Sequence, residues 1–265
     1  MDIDAAVAYG EKHELHALLI QQGGSMLLER YGDGYDAKKP HALYSGTKSF
    51  WGIAALEAQA EGLLDLDAIV LDAITPRMLL TMTAGYGFGG LGNAVPTYDR
   101  AMVVPLKTTP GSTFTYSGIP LQVFGGYFAQ RLAPVKLTPH DYLRERILAK
   151  ANVAVGSWRA LSDGTHPLPT GAMLTANDWL RYGTYVLAHR ARYAQAFVGT
   201  AANPRYGLCW WLGAAGAPPD CFYASGSAGQ GLYVVPSEET VIVHFGKSSS
   251  YKHDAFLKRL FAPPR

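Results

Sequence analysis

The spacing of apolar residues changes character twice along the chain. Residues 2–12 carry a mild helical period. Residues 15–20 and 25–31 are apolar, β-prone runs on either side of Gln21-Gln22-Gly23-Gly24, which predicts a hairpin closed by Tyr31-Gly32-Asp33-Gly34. From Ser45 onward the pattern is helical: Phe50, Ile53, Ala54, Leu56 and Ala60 share one face, and Gly62 is a natural stop. Thr75-Pro76 and Thr138-Pro139 read as caps with proline at the first helical position, predicting helices over 76–82 and 142–149. Helices are also expected over 117–132 and 175–187, with a glycine-rich loop over 84–95. The last third turns to strands at 206–212, 231–235 and 240–245, the last two joined by Pro236-Ser237-Glu238-Glu239, before a short helix over 253–261.

This order predicts an α+β fold: an antiparallel sheet built from both chain ends, flanked by helices, with an inserted, mostly helical region. The expected division is a sheet subdomain of residues 1–44 and 188–265 and a helical subdomain of residues 45–187, with the active site in the cleft between them.

Composition narrows the function. The chain has 265 residues, 48% hydrophobic and 17% charged. That charged fraction is below the roughly 25% of ordinary soluble domains, which excludes disorder and favours a large core. Lys and Arg number 23 against 21 Asp and Glu, with no basic run, so a nucleic-acid groove is not expected. No apolar window of about 18 residues marks a membrane span. Cys209 and Cys221 make no disulfide scaffold; buried thiols are expected, and one bridge across a hairpin stays open. The acidic start Met1-Asp2-Ile3-Asp4 is no export leader. A periplasmic or secreted location is expected if a leader has been removed, and a cytoplasmic one otherwise. No signal for an oligomeric state is present.

Three segments carry chemistry. Ser45-Gly46-Thr47-Lys48 opens a helix, and the i to i+3 spacing lets the lysine amine reach the serine hydroxyl. A serine hydroxyl is a weak nucleophile without an adjacent base, and an amine serves only if burial keeps it neutral. Phe114-Thr115-Tyr116-Ser117-Gly118 places a phenol at a turn before a helix, where a nearby ammonium would ease its ionisation. Ala224-Ser225-Gly226-Ser227 is a small-residue strand against which a substrate can lie. The Ser227 main-chain N–H, with that of Ser45, is placed to form an oxyanion hole.

In this order the three segments resemble the motifs of the serine β-lactamase and penicillin-binding-protein superfamily. The nearest branch is that of the class C β-lactamase-like esterases, D-amino-acid amidases and 6-aminohexanoate-dimer hydrolases. Ser45-x-x-Lys48 is similar to the nucleophile motif and Tyr116-Ser117-Gly118 to its Tyr-x-Asn, which implies Tyr116 as general base. Ala224-Ser225-Gly226 falls on its Lys/His-x-Gly. Leu79 to Gly85, Pro110-Gly111-Ser112-x-Phe114-x-Tyr116-Ser117 and Tyr206-Gly207-Leu208-x-Trp210-Trp211 resemble flanking family segments. Two positions depart: Gly118 stands for the asparagine that would bond the substrate amide, and Ala224 for the cation that would attract a substrate carboxylate.

The resemblance implies a serine hydrolase acting through an acyl-enzyme, with no metal and no cofactor. Ser45, Lys48 and Tyr116 are the expected catalytic residues, Ser45 and Ser227 the oxyanion hole. Gly118, Ala224, Ser225, Gly226, Tyr86 and Phe88 are expected to meet the substrate. Small, uncharged esters or amides are favoured because Ala224 carries no charge. The alternatives are a true β-lactamase or DD-peptidase, and a catalytically weak homologue that binds peptidoglycan or peptide. His13-x-x-His16 has helical spacing for a metal but no third ligand nearby. There is no G-x-S-x-G elbow and no dinucleotide fingerprint after a strand.

Overall fold

The computed structural model describes residues 1–32 and 34–262. Asp33, in the predicted closing turn, and residues 263–265, at the end of the expected sheet subdomain, lie outside the described residues. The N-terminal elements are α1 (Ile3–Lys12), β1 (Leu15–Gln22), β2 (Ser25–Tyr31) and β3 (His41–Ala42). The middle holds α2 (Ser49–Ala60), α3 (Pro76–Leu80), α4 (Tyr98–Met102), α5 (Ile119–Leu132) and α6 (Pro139–Leu143). Then come β4 (Ser157–Trp158), β5 (Ala172–Leu174), α7 (Ala176–Ala188), β6 (Trp211–Leu212), β7 (Phe222–Gly226), β8 (Gln230–Val235), β9 (Thr240–Gly246) and α8 (His253–Leu260).

Six strands form an antiparallel sheet in the order β2-β1-β9-β8-β7-β6, so the two ends of the chain meet where β1 pairs with β9. A small second sheet runs β3-β5-β4. Side chains alternate across the main sheet. Leu18, Ile20, Tyr233, Val235 and Ile242 face α1 and α8, whose Ala6, Tyr9, Phe256, Leu257 and Leu260 cover them. Ala17, Leu19, Leu232, Val234, Val241 and Val243 face the larger core shared with α2, α5 and α7.

The α+β prediction holds, and several boundaries move. The helix over 76–82 ends at Leu80, because Met82 turns left-handed at φ 59°. The expected start at Thr138-Pro139 holds, with Thr138 as the cap, and the helix widens into a π turn over Arg144–Leu148. The strand over 206–212 shrinks to Trp211–Leu212, since Cys209 is left-handed at φ 64°. The division at residue 187 also needs correction. Helix α7 packs on the sheet: its Trp179 stacks on Phe245 of β9 at 5.4 Å, and Thr184 bonds Gln21 of β1. A helical period shows that one face is buried but not which layer buries it. The same holds for β3, β4 and β5, which are too short to show a period.

One irregular segment is held unusually tightly. Between β4 and β5, the backbone of residues 166–169 is captured by side chains from four directions. Tyr98 Oη donates to the His166 carbonyl at 2.8 Å and Trp158 Nε1 to that of Pro167 at 3.0 Å. Trp51 Nε1, from α2, donates to the Leu168 carbonyl at 2.6 Å. Gln122, buried in α5, accepts from the Leu168 N–H at 2.8 Å and donates to the Pro96 carbonyl at 2.6 Å. A buried loop must satisfy its polar groups in this way. Replacing Gln122 by Leu keeps the volume but leaves two buried main-chain groups unpaired. It is expected to cost about 2–4 kcal/mol in urea unfolding. A cost below about 1 kcal/mol would show that the segment is not held by this residue.

Candidate active site

Ser45 and Lys48 lie in a tight 3₁₀ turn, Tyr44–Lys48, that runs directly into α2. The lysine is buried at 1% exposure, and its Nζ has two partners: it donates to Ser45 Oγ at 2.8 Å and to the Pro169 carbonyl at 3.1 Å. No carboxylate stands among the groups that act on it. Burial therefore dominates and draws the amine down to about 7, with only a small opposing effect from Cys209. Holding a proton on this nitrogen costs roughly 5 kcal/mol relative to water, so near neutrality much of the amine carries a free lone pair.

Tyr116 borders the same pair. Lys48 Nζ sits 4.9 Å from the centre of its ring. Tyr206 and Trp211 pack around it at 5.9 and 5.5 Å. Burial pushes the Tyr116 hydroxyl well above the usual phenol range, and a hydrogen bond from Ser45 offsets only part of that. Burial thus acts in opposite senses on the two groups, favouring the neutral amine and the protonated phenol.

The third predicted segment is β7. The end of this strand approaches the Tyr44–Lys48 turn so closely that a β-carbon on Gly226 would overlap the Leu43 carbonyl oxygen. Only glycine permits that contact, and the contact sets the exposed Ser227 beside the turn that carries Ser45. Gln230 then fixes the following turn, donating to the Ser227 and Gly246 carbonyls at 2.8 Å each and accepting from the Gly246 N–H. Ala224 is buried on the core side of the strand. Ser225 faces the other way, its Oγ 2.8 Å from His253 Nε2 in α8, so the strand alternation turns it from the face that Ala224 shares. Tyr86 is buried in the core at 3% exposure, whereas Phe88 is 80% exposed. His13 ends α1 and bonds the Tyr9 carbonyl, while His16 lies in β1, so the two do not share a helix face. Cys209 and Cys221 are both free and buried.

The family model described as Beta-lactamase matches residues 10–260. The chain belongs to the beta-lactamase family. No curated protein matches it. Among solved structures it is similar to a penicillin binding protein from Bacillus halodurans, at 16% identity and a TM-score of 0.72 over 92% of this chain and 96% of that one. It is also similar to a beta-lactamase from Mycobacterium bovis, at 19% identity and 0.70 over 91% and 90%. A D-stereospecific amidohydrolase from a Streptomyces species matches at 14% identity and 0.75 over 99% of both chains. At such identities the likeness shows the fold. At the level of the family, the chain is an acyl-enzyme serine hydrolase.

One of the two departures from the family motifs has a physical cause. Gly118 cannot be an asparagine here. Its N–H bonds the Gly89 carbonyl at 2.8 Å, and a β-carbon at this position would overlap the Gly90 carbonyl oxygen. The glycine-rich loop occupies the space a side chain would need. The Pro169 carbonyl meanwhile takes a hydrogen bond from Lys48. Pattern reading missed it because a main-chain carbonyl leaves no residue signature. Cys209 was also missed, although a signal existed: it occupies the second glycine of the Tyr-Gly-x-Gly-Trp segment, and its left-handed φ is what glycine would relieve. Restoring the family residue with Gly118→Asn is expected to lower Tm by more than about 5 °C, because two backbones must separate. An unchanged Tm would show that the loop yields easily.

Proposed function

We propose that the chain is a metal-independent serine hydrolase acting through an acyl-enzyme on small esters or amides, with Ser45 as nucleophile. The observation that carries this reading is the 2.8 Å bond between Ser45 Oγ and a buried amine whose ammonium form burial disfavours. As Ser45 Oγ attacks the acyl carbonyl carbon, its proton passes to Lys48 Nζ. Tyr116, protonated at rest, gives its proton to the departing alcohol or amine and recovers one from Lys48. The main-chain N–H groups of Ser45 and Ser227 receive the developing oxyanion. Water then enters and the same groups run in reverse to release the acid.

Two observations support small esters and amides over β-lactams. Position 118 offers no side-chain amide, and position 224 offers no cation on the β7 wall. Gly226 lies close against the nucleophile turn, which supports a substrate lying along β7. Ser225, Tyr86 and Phe88 are assigned no substrate contact in this reading.

A fluorophosphonate probe is expected to label Ser45. Ser45→Ala and Lys48→Met should each lower p-nitrophenyl ester turnover by about a thousandfold, and Tyr116→Phe by about ten- to a hundredfold. Nitrocefin should be turned over more slowly than the best ester. Ester turnover unchanged in Ser45→Ala would overturn the assignment, and nitrocefin as the best substrate would restore the β-lactamase reading.

A further inference from the structure

A cavity of about 410 Å³ opens on the flank of the nucleophile turn. Tyr44 and Ala228 line it, and these are the chain neighbours of Ser45 and Ser227. Its remaining polar wall is made by His16, His41, Tyr35 and Lys247, and no lining residue is acidic. The two imidazoles are joined, with His16 Nδ1 2.9 Å from His41 Nε2. Their protons follow from one acceptor. His41 Nδ1 lies 2.9 Å from the Ala42 carbonyl, which can only accept, so Nδ1 carries the hydrogen and Nε2 the lone pair. His16 Nδ1 must then donate, which leaves His16 Nε2 as the one nitrogen of the pair able to take a proton without breaking a bond.

The rings are fixed for this role. His16 stacks on Tyr35 at 4.0 Å and His41 on Phe245 at 4.7 Å. The charged groups that face His16 are largely cationic. Burial holds its imidazolium down first, then His41, Lys247 and Lys39, and Glu14 alone works the other way. His16 also borders a neighbouring cavity lined by Glu11, Glu14, Arg30 and Tyr31, so the carboxylates and the guanidinium there share its surroundings.

We propose that this cavity is a subsite for a carboxylate carried by the ester or amide substrate, held by the Lys247 ammonium and by His16 Nε2, which takes up a proton from solvent as the carboxylate arrives. The subsite supplies, on the flank of Tyr44 and Ala228, the positive charge that Ala224 removes from the β7 wall. It rests on the acyl-enzyme reading above and narrows its substrates to those with an anionic end.

Mono-p-nitrophenyl glutarate and its methyl ester differ in that charge and in one methyl group. The ratio of their kcat/KM values is expected to favour the acid by about tenfold at pH 6 and to shrink by pH 8 as His16 gives up its proton. Lys247→Met and His16→Asn should each cut the ratio severalfold. A ratio near one in all three proteins overturns the subsite while leaving turnover at Ser45 intact. Absence of any ester turnover and of Ser45 labelling overturns the acyl-enzyme reading instead. The subsite is then read directly in the unmodified protein, by the imidazole ¹⁵N resonances of His16. A shift with glutarate and none with glutaramide supports it, and no shift with either overturns it.

Discussion

The site depends on a lysine amine placed where water cannot solvate its charge. Lys48 is buried to 1% exposure with a serine hydroxyl on one side and a main-chain carbonyl on the other. Neither neighbour carries a charge. Burial of an unpaired ammonium is among the most expensive arrangements in a protein, and the relief available is loss of the proton. That loss is what a serine nucleophile needs from its neighbour. The desolvation that destabilises the fold at this point is therefore the same effect that arms the chemistry.

Much of the surrounding structure can be understood as holding that lysine in place. Four side chains bond the backbone of residues 166–168, the stretch directly before the Pro169 carbonyl that Lys48 meets. The nucleophile turn is backed by β7 through a contact that admits only glycine at 226. Four non-glycine residues with left-handed backbones, Tyr44, Met82, Cys209 and Ala228, stand at the turns that meet around the site. Such backbones cost about a kcal/mol or more apiece and persist where packing on all sides fixes them. Their gathering here fits a site whose geometry is set by the scaffold rather than by the local chain.

The sequence displayed the elements well and their partnerships poorly. Long amphipathic helices, the two hairpins and the Ser45-x-x-Lys48 turn all have periods or punctuation that local physics imposes. Ordered motifs then made the family legible, as the match over 10–260 bears out. What stayed hidden depends on contacts between segments distant in sequence. The layer to which α7 belongs is set by the meeting of Trp179 with Phe245, and the partner of Lys48 is a backbone atom 121 residues away. The packing of Tyr206 and Trp211 around the Tyr116 ring was also hidden, because it joins segments about 90 residues apart. The departure at Gly118 was visible as a letter, but its cause, the carbonyl of Gly90, was not.

The account's central claim is that Lys48 is neutral in an appreciable fraction of molecules at physiological pH. Nitrogen resonances of ¹⁵N-labelled lysine side chains test it directly, with Lys48→Met identifying the signal. The account predicts a lysine signal that titrates near pH 7 and is missing from Lys48→Met. A Lys48 signal that stays protonated up to about pH 10 would contradict the claim and return the base to Tyr116.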